Sequence, residues 1–384
     1  MLAHSPPLPL VIDYRYFDGD LIEDEENIIL ALEQRDRVRY IHLIIPVLNL
    51  QMLLMTIDEE YSTLEYLILE PPTEDRTLIL PLLKTLQAPH LRHLVLLGVT
   101  LPTESRLLIT AVGLVTLWLL HTSYIQSGVL LRWLSFLPQL ENLVYFTFPV
   151  PNRDVERQLI QTPITTHTTL PNLRSFAVEG VSACLETLFH RIAAPRLEML
   201  EISFFKQLTF SVPRLLQFLN TTENFRIDRA EFEFYDERVF VGFYFPEVKR
   251  VAYSINVKCY HFDWQVTSVA QIFNALSQMF SAVEHLTFEL EVHSQSSNEH
   301  NEVDRTEWRK LLRSFRNVKT VRIDNGLIEE FSRCLRLEDG ELPLEVLPEL
   351  QELTYSGSRN AGDAFTSFTD SRQNAGRPVT LIKS

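Results

Sequence analysis

A chain of 384 residues with 46% hydrophobic side chains can bury a continuous core, which excludes wholesale disorder. Its formal charge of −15 argues against the positive face that a nucleic-acid groove needs, and favours basic or apolar partners. Cys184, Cys259 and Cys334 lie 75 residues apart with no CxxC pair, so neither a disulfide framework nor a thiolate zinc site is expected, and a reducing compartment is.

In chain order, the start "MLAHSPPLPLVIDY" has no basic n-region and no long apolar run, so it does not read as a secretory signal. "PLPLVIDYRY" alternates as a strand, and "IEDEEN" (Ile22–Asn27) reads as a helix start whose acids suit the helix dipole. One rule then recurs: apolar-x-x-apolar-x-apolar, led by proline or a polar turn residue. It is seen in "LQAPHLRHLVLLGV" (Leu86–Val99), "LPQLENLVYF" (Leu137–Phe146), "LPNLRSFAV" (Leu170–Val178), "APRLEMLEI" (Ala194–Ile202), "FPEVKRVAY" (Phe245–Tyr253) and "LPELQELTY" (Leu347–Tyr355). Taking the first apolar position as anchor gives Val38, Leu64, Leu91, Leu114, Leu140, Leu173, Leu197, Ile227, Val248, Val283, Val318 and Leu350. The spacings run from 21 to 35 residues. They average about 28, near the length of a leucine-rich repeat.

The longest apolar run, "LLITAVGLVTLWLL" (Leu107–Leu120), is too short to span a membrane and reads as the end of one element followed by a buried strand. Between anchors the hydrophobic period changes from 2 to about 3.6. "ACLETLFHRI" puts Leu185, Leu188, Phe189 and Ile192 on one stripe, and "TSVAQIFNALSQMF" does so with Val269, Ile272, Phe273, Leu276 and Phe280. "DRTEWRKLLRSF" has capping-box spacing at Asp304 and Glu307 and buries Trp308, Leu311, Leu312 and Phe315. Residues 293–304 are polar and read as a mobile insertion. Residues 357–384 read as a capping segment: a short helix with Phe365 and Phe368, a stop at Gly376, and a last strand. The fold expected is α/β, a single leucine-rich-repeat-like solenoid over residues 1–384 with about 12–13 irregular repeats. Its parallel sheet would line the concave side of a horseshoe, with helices on the convex side.

Little in the chain points to chemistry. His90 precedes a strand and His93 occupies a non-core position within it, so they read as surface histidines rather than a metal pair. No P-loop, dinucleotide-binding, nucleophile-elbow or HExxH pattern occurs, and no enzyme, cofactor or metal is expected. The basic run "RTEWRKLLRSFRNVKTVR", from Arg305 to Arg322, reads as the solvated flanks of an amphipathic helix, or as a docking patch for an acidic partner. The strands' solvent-facing columns are more informative. The middle column reads Ile68, Val95, Trp118, Val144, Ala177, Glu201, Glu231, Ala252, Thr287, Arg322 and Thr354. With the next column, Ile68, Val95, Leu97, Trp118, Leu120, Val144 and Phe146 form an apolar patch, whereas the middle repeats show Glu179, Glu201, Glu231 and Glu233. Such a patch marks an interface, with Trp118 and Phe146 as anchors, unless the chain's own segments cover it or the register is shifted.

The succession "APHLRHLVLLGVTLP", "LPNLRSFAVEGVS", "APRLEMLEI" and "DAFTSFTDSRQNAGRPVTLI" resembles the F-box-like leucine-rich-repeat proteins of mushroom-forming fungi, from Pro7 onward. The resemblance implies a substrate-recognition adaptor of a cullin–RING ubiquitin ligase: an F-box docks on a Skp adaptor while the repeats hold the ubiquitination target. The chain departs from that plan where the F-box would stand, because Leu8–Phe17 already reads as a strand. A Skp-type adaptor is therefore expected as a partner only if an F-box is missing from this sequence, and no residue here takes that role. The expected protein is a cytoplasmic or nuclear, non-catalytic module that binds protein, with neither nucleic acid nor membrane as partner. The alternative is a structural or vestigial repeat fragment with no specific ligand.

Overall fold

The computed structural model describes residues 8–15, 21–57, 60–72, 80–81, 83–147, 167–207, 209–222, 227–245, 251–291, 305–337, 341–342, 344–356 and 359–384. The anchor Val248, the capping-box Asp304 and the polar stretch 293–304 lie outside them. The chain is mixed α/β with a mostly parallel sheet, and divides into two compact units: Met1–Gly180 with Thr187–Leu197, and Val181–Glu186 with Glu198–Ser384.

Proline sets the start of many strands by a local mechanism. In Ala88–Leu91, Leu137–Leu140, Leu170–Leu173, Ala194–Leu197 and Leu347–Leu350, the second residue is proline. The anchor's N–H closes each turn onto the carbonyl three residues back, at 3.1–3.3 Å. Proline fixes φ near the value that the second turn position needs, and its missing N–H costs nothing there. The turn delivers the anchor leucine into the core, where Leu91, Leu140, Leu173, Leu197 and Leu350 are all buried. Successive repeats are then joined by backbone alone. The Glu65 carbonyl accepts both the Arg92 and His93 N–H groups, the Arg92 carbonyl those of Val115 and Thr116, and the Glu141 carbonyl those of Arg174 and Ser175. Because no side chain is needed for this ladder, neighbouring strands are joined without an Asn or Cys signature.

In the first unit the strands are β1 (Leu10–Arg15), β2 (Val38–Ile44), β3 (Tyr66–Glu70), β4 (Leu80–Pro81), β5 (His93–Leu97), β6 (Val99–Thr100), β7 (Thr116–Thr122), β8 (Asn142–Thr147), β9 (Thr168–Thr169), β10 (Ser175–Gly180) and β11 (Ile192–Ala193). The main sheet runs β1-β2-β3-β5-β7-β8-β10, all parallel, while β4 pairs with β6 and β9 with β11. One side of it is leucine: Leu67, Leu69, Leu94, Leu96, Leu117, Leu119 and Leu143 are fully buried. Helix Ser127–Leu134 adds Leu130, Leu131, Trp133 and Leu134 to that core.

The second unit contains β12 (Met199–Phe204), β13 (Arg229–Tyr235), β14 (Arg238–Tyr244), β15 (Val251–Lys258), β16 (His285–Glu291), β17 (Thr320–Ile323), β18 (Glu352–Tyr355) and β19 (Thr380–Lys383). Their order is β12-β15-β14-β13-β16-β17-β18-β19. Here the expectation of parallel strands throughout is corrected: β14 is antiparallel to both β13 and β15. The cause is local. "EFEFY" and "RVFVGFY" alternate on either side of Asp236 and Glu237, a two-residue connection that can only return the chain antiparallel. Between β14 and β15 the register shifts, Tyr244 facing Val251 and Phe243 facing Tyr253. Ala252 is the extra residue of this bulge and is buried, so it does not belong to the solvent-facing column. Ser254 stands beside Glu201 instead.

The core of this unit is aromatic rather than leucine-rich. Phe232 stacks on Phe288 at 4.7 Å and meets Phe273 at 5.3 Å, while Phe280 stacks on Phe243 and Phe273 at 4.8 Å each. Helices Phe262–Ala275 and Arg305–Arg313 supply Phe273 and Trp308 from the stripes that their periodicity marks. After helix Thr366–Asn374, Gly376 adopts φ +75° and the chain enters β19. Arg372 on that helix is fully buried and donates to the carbonyls of Leu347, Pro348, Leu350 and Arg377 at 3.0–3.2 Å. Leu347 holds φ +49°, an unfavourable backbone for a branched side chain, and the arginine grips its carbonyl.

Candidate protein-binding face

The parallel registers of the first unit place its solvent-facing residues in rows. One row is Asp13, His42, Ile68, Val95, Trp118, Val144 and Ala177, each directly opposite the next. The expected residues Ile68, Val95, Trp118 and Val144 are therefore adjacent on four neighbouring strands, roughly 4.8 Å apart. Trp118 is 40% exposed at the middle of the row, and Ile68, Val95 and Val144 are half-buried between their neighbours.

One pleat further on, Leu97 pairs with Leu120. Leu120 and Phe146 are half-buried on the sheet face, but Leu97 is only 6% exposed. It ends its strand just before Gly98, whose positive φ turns the chain and whose N–H bonds the Leu120 carbonyl at 2.8 Å. Leu97 is thus a buried edge of the patch rather than an exposed member. Ala177 and Glu179 are also buried, which closes the row at β10 and corrects the reading of Glu179 as solvent-facing. The sheet is also locally bent at this site. His121 has φ +50°, and the register of β7 shifts against β8 between Leu119 and Thr122. Two residues, Leu120 and His121, then oppose Phe146, as in a bulge that re-aims the strand end.

The pleat before the apolar row carries a ladder that the hydrophobic pattern did not reveal: Tyr40, Tyr66, His93, Thr116, Asn142 and Ser175. Tyr66 and His93 stack at 4.4 Å with 9° between planes, and His93 Nδ1 is hydrogen-bonded to Thr116 Oγ1 at 3.1 Å. Burial, with Arg92 nearby, lowers the His93 pKa, so the ring is held neutral and flat against the tyrosine. His90 is spent on the backbone, its Nδ1–H donating to the Ser62 carbonyl at 2.7 Å. Among the described residues no group of three or more His, Cys, Asp or Glu could hold a metal ion. Counting one pleat back from each apolar residue would have exposed the tyrosines.

Five cations of the basic run are paired internally. Arg305 pairs with Glu341 at 2.6 Å, Arg309 with Glu341 and Glu345 at 3.3 and 3.4 Å, and Arg313 with Glu345 at 2.7 Å. Lys310 and Lys319 pair with Glu307 and Glu284 at 2.6 and 2.7 Å. With Arg309 buried, Arg305, Arg309 and Arg313 tie the helix to the segment before β18, while Arg316 and Arg322 are exposed. No helix among the described residues is long and apolar enough to cross a membrane. No protein-family model matches the chain, and neither does any curated protein.

Proposed function

We propose that this chain is a non-catalytic protein-recognition module of a reducing compartment, cytoplasmic or nuclear, built as a leucine-rich-repeat-like solenoid related to F-box substrate receptors of cullin–RING ubiquitin ligases. It binds its protein partner through the solvent side of the parallel sheet in the first unit. The observation that carries this reading is the in-register row Ile68, Val95, Trp118 and Val144, with an exposed tryptophan at its middle. Exposing a large aromatic side chain among apolar neighbours costs free energy in a monomer, and such residues anchor interfaces when a partner covers them. The stacked Tyr66 and His93 beside the row supply the polar, rigid rim that excludes water around an anchor. Cys184, Cys259 and Cys334 are buried and lie 75 residues apart in the chain, which fits that compartment.

The test is capture of partners from the native cells by the tagged full chain, compared with Trp118→Asp. Reproducible partners that disappear with the aspartate variant, at an unchanged melting temperature, support the reading. Recovery of a Skp adaptor and a cullin would add the ligase link. Identical recoveries from both forms would overturn binding through this face, and nothing above background would favour a repeat fragment without a ligand.

A further inference from the structure

The first unit ends on an open strand. Among the described residues β1 pairs with β2 alone, and no strand lies beyond it. The Leu10 N–H donates to the Arg37 carbonyl at 2.7 Å. Strand alternation therefore turns the backbone N–H and C=O groups of Val11, Asp13 and Arg15 away from β2. Pro9 belongs to the same outward set and has no N–H to leave open, as suits an edge. Apolar side chains accompany these backbone groups: Leu8 is 64% exposed and Val11 68%, and Leu30, on the helix Leu21–Leu32 that follows β1, is 53% exposed. The last strand of the second unit is guarded better, because β19 has only four residues and ends on Lys383.

The strand's own sequence fits this edge. When two copies meet about a two-fold axis normal to the sheet, core side joins core side, and residues directly opposite share one face. Few registers then remain. Centring the pair on Asp13 sets two carboxylates directly opposite, which is destabilising. Centring it on Ile12 sets the exposed Val11 against the partner's Asp13. Centring it on Val11 sets Val11 against the partner's Val11 on the solvent side. On the core side Leu8 then meets the partner's Tyr14, and Leu10 the partner's Ile12. Asp13, already held by Arg15 at 3.5 Å and His42 at 3.1 Å, faces only the partner's Pro9. This register covers both exposed residues, Leu8 and Val11, and opposes no like charges. The Val11 pair exchanges two backbone hydrogen bonds on the axis, and each Asp13 N–H donates to the carbonyl of the partner's Pro9.

We infer that the chain forms a two-fold dimer through β1, the two copies pairing antiparallel about Val11 so that the sheet of the first unit continues into that of the partner. Helix Leu21–Leu32 packs against β1 and helix Val47–Ile57, so the same axis brings its two copies together behind the joint, where Leu30 adds apolar surface. The dimer goes beyond the recognition reading and uses no residue of the apolar row.

The test is sedimentation velocity of the full chain over a range of micromolar concentrations, with a concentration-dependent dimer expected. Val11→Pro removes an N–H that β2 does not use, at an edge position where proline is tolerated. It should weaken the dimer about tenfold or more while leaving the melting temperature unchanged. Val11→Lys, which sets two like charges on the axis, serves if the proline variant melts lower. Oxidation of Val11→Cys should cross-link the dimer, since directly opposite residues stand about 5.5 Å apart at Cα, within disulfide reach. Asp13→Cys should not, because its two copies lie roughly 14 Å apart in this register. The native Cys184, Cys259 and Cys334 are buried, so the introduced thiol is the one that reacts. A chain that stays monomeric at every concentration, or a dimer that persists in folded Val11→Pro and Val11→Lys, overturns the inference. Cross-linking by Asp13→Cys instead of Val11→Cys overturns the pairing about Val11. Trp118→Asp should leave the dimer intact; a dimer lost in that variant but kept in Val11→Pro assigns self-association to the apolar row and overturns the role of β1.

Discussion

The two units solve the same architectural problem with different side chains. The first buries a leucine core and shows an apolar row with Trp118 at its middle; the second buries a phenylalanine core and shows carboxylates. Their outermost strands differ too. In β1, Val11 is 68% exposed, whereas β19 follows a helix locked by the buried Arg372. A backbone ladder and a proline turn demand only an apolar residue at each anchor, so the core's chemistry and the face's chemistry are free to vary from repeat to repeat. What a strand shows to solvent therefore carries function, and what it buries carries stability.

The contrast can be broken at several points. The largest effect is expected in the aromatic core: Phe232→Ala should cost about 3–5 kcal/mol in urea unfolding, because its removal leaves Phe273 and Phe288 facing a cavity. A cost no greater than that of Thr287→Ala on the sheet face would mean that the rings do not hold the second unit. Next comes Arg372→Met, expected to cost about 2–4 kcal/mol by leaving buried carbonyls unpaired and the Leu347 turn unsupported. A melt within error of the parent would assign the capping role to the packing of Phe365 and Phe368 alone.

Trp118→Asp sharpens the functional half of the comparison. Its stability should change by no more than about 0.5 kcal/mol, as for an ordinary surface position, while partner binding drops. A loss of several kcal/mol would make the tryptophan part of the core. The smallest effect concerns pH. The Glu289 pKa is raised in the fold from an ordinary 4.5, so the folded chain holds that proton more tightly than the unfolded one. Its contribution to stability is fully present below pH 4.5 and is lost as pH rises through the folded value. Glu289→Gln should accordingly melt higher than the parent at pH 7, with the gap closing below pH 4.5. A gap of equal size at both pH values would mean that charge on this face is not its cause.

Much of this was legible in the residues, and the exceptions have local causes. The anchors are legible because each must be apolar: all except Val248, which lies outside the described residues, are buried. The apolar row follows from alternation, since a period of two leaves no choice of face once the leucines are placed inside. Leu97 escaped because burial at a strand's end depends on where Gly98 turns the chain, and Ala252 because a bulge interrupts the period. Strand β14 was concealed inside an interval of ordinary repeat length, although Asp236 and Glu237 between two alternating runs were a usable hairpin signal. The pairing of Arg305, Arg309 and Arg313 with Glu341 and Glu345 joins residues about 32–36 positions apart, and charge in a sequence does not state its partner.

By itself the sequence determined the recurring apolar motif, the proline turn before five of the strands, the identity of the buried side and the apolar character of the first unit's face. These follow from proline's fixed φ and from the two hydrophobic periods, both of which act over a few residues. Only the tertiary structure decided which residues stand side by side across strands. The Tyr66–His93 stack, the opposition of Glu233 and Glu289, the unpartnered Asn256 and the four carbonyls gathered by Arg372 all depend on cross-strand register or on a buried side chain's reach. Those are set by the packing of whole repeats, over distances in the chain that no local period spans.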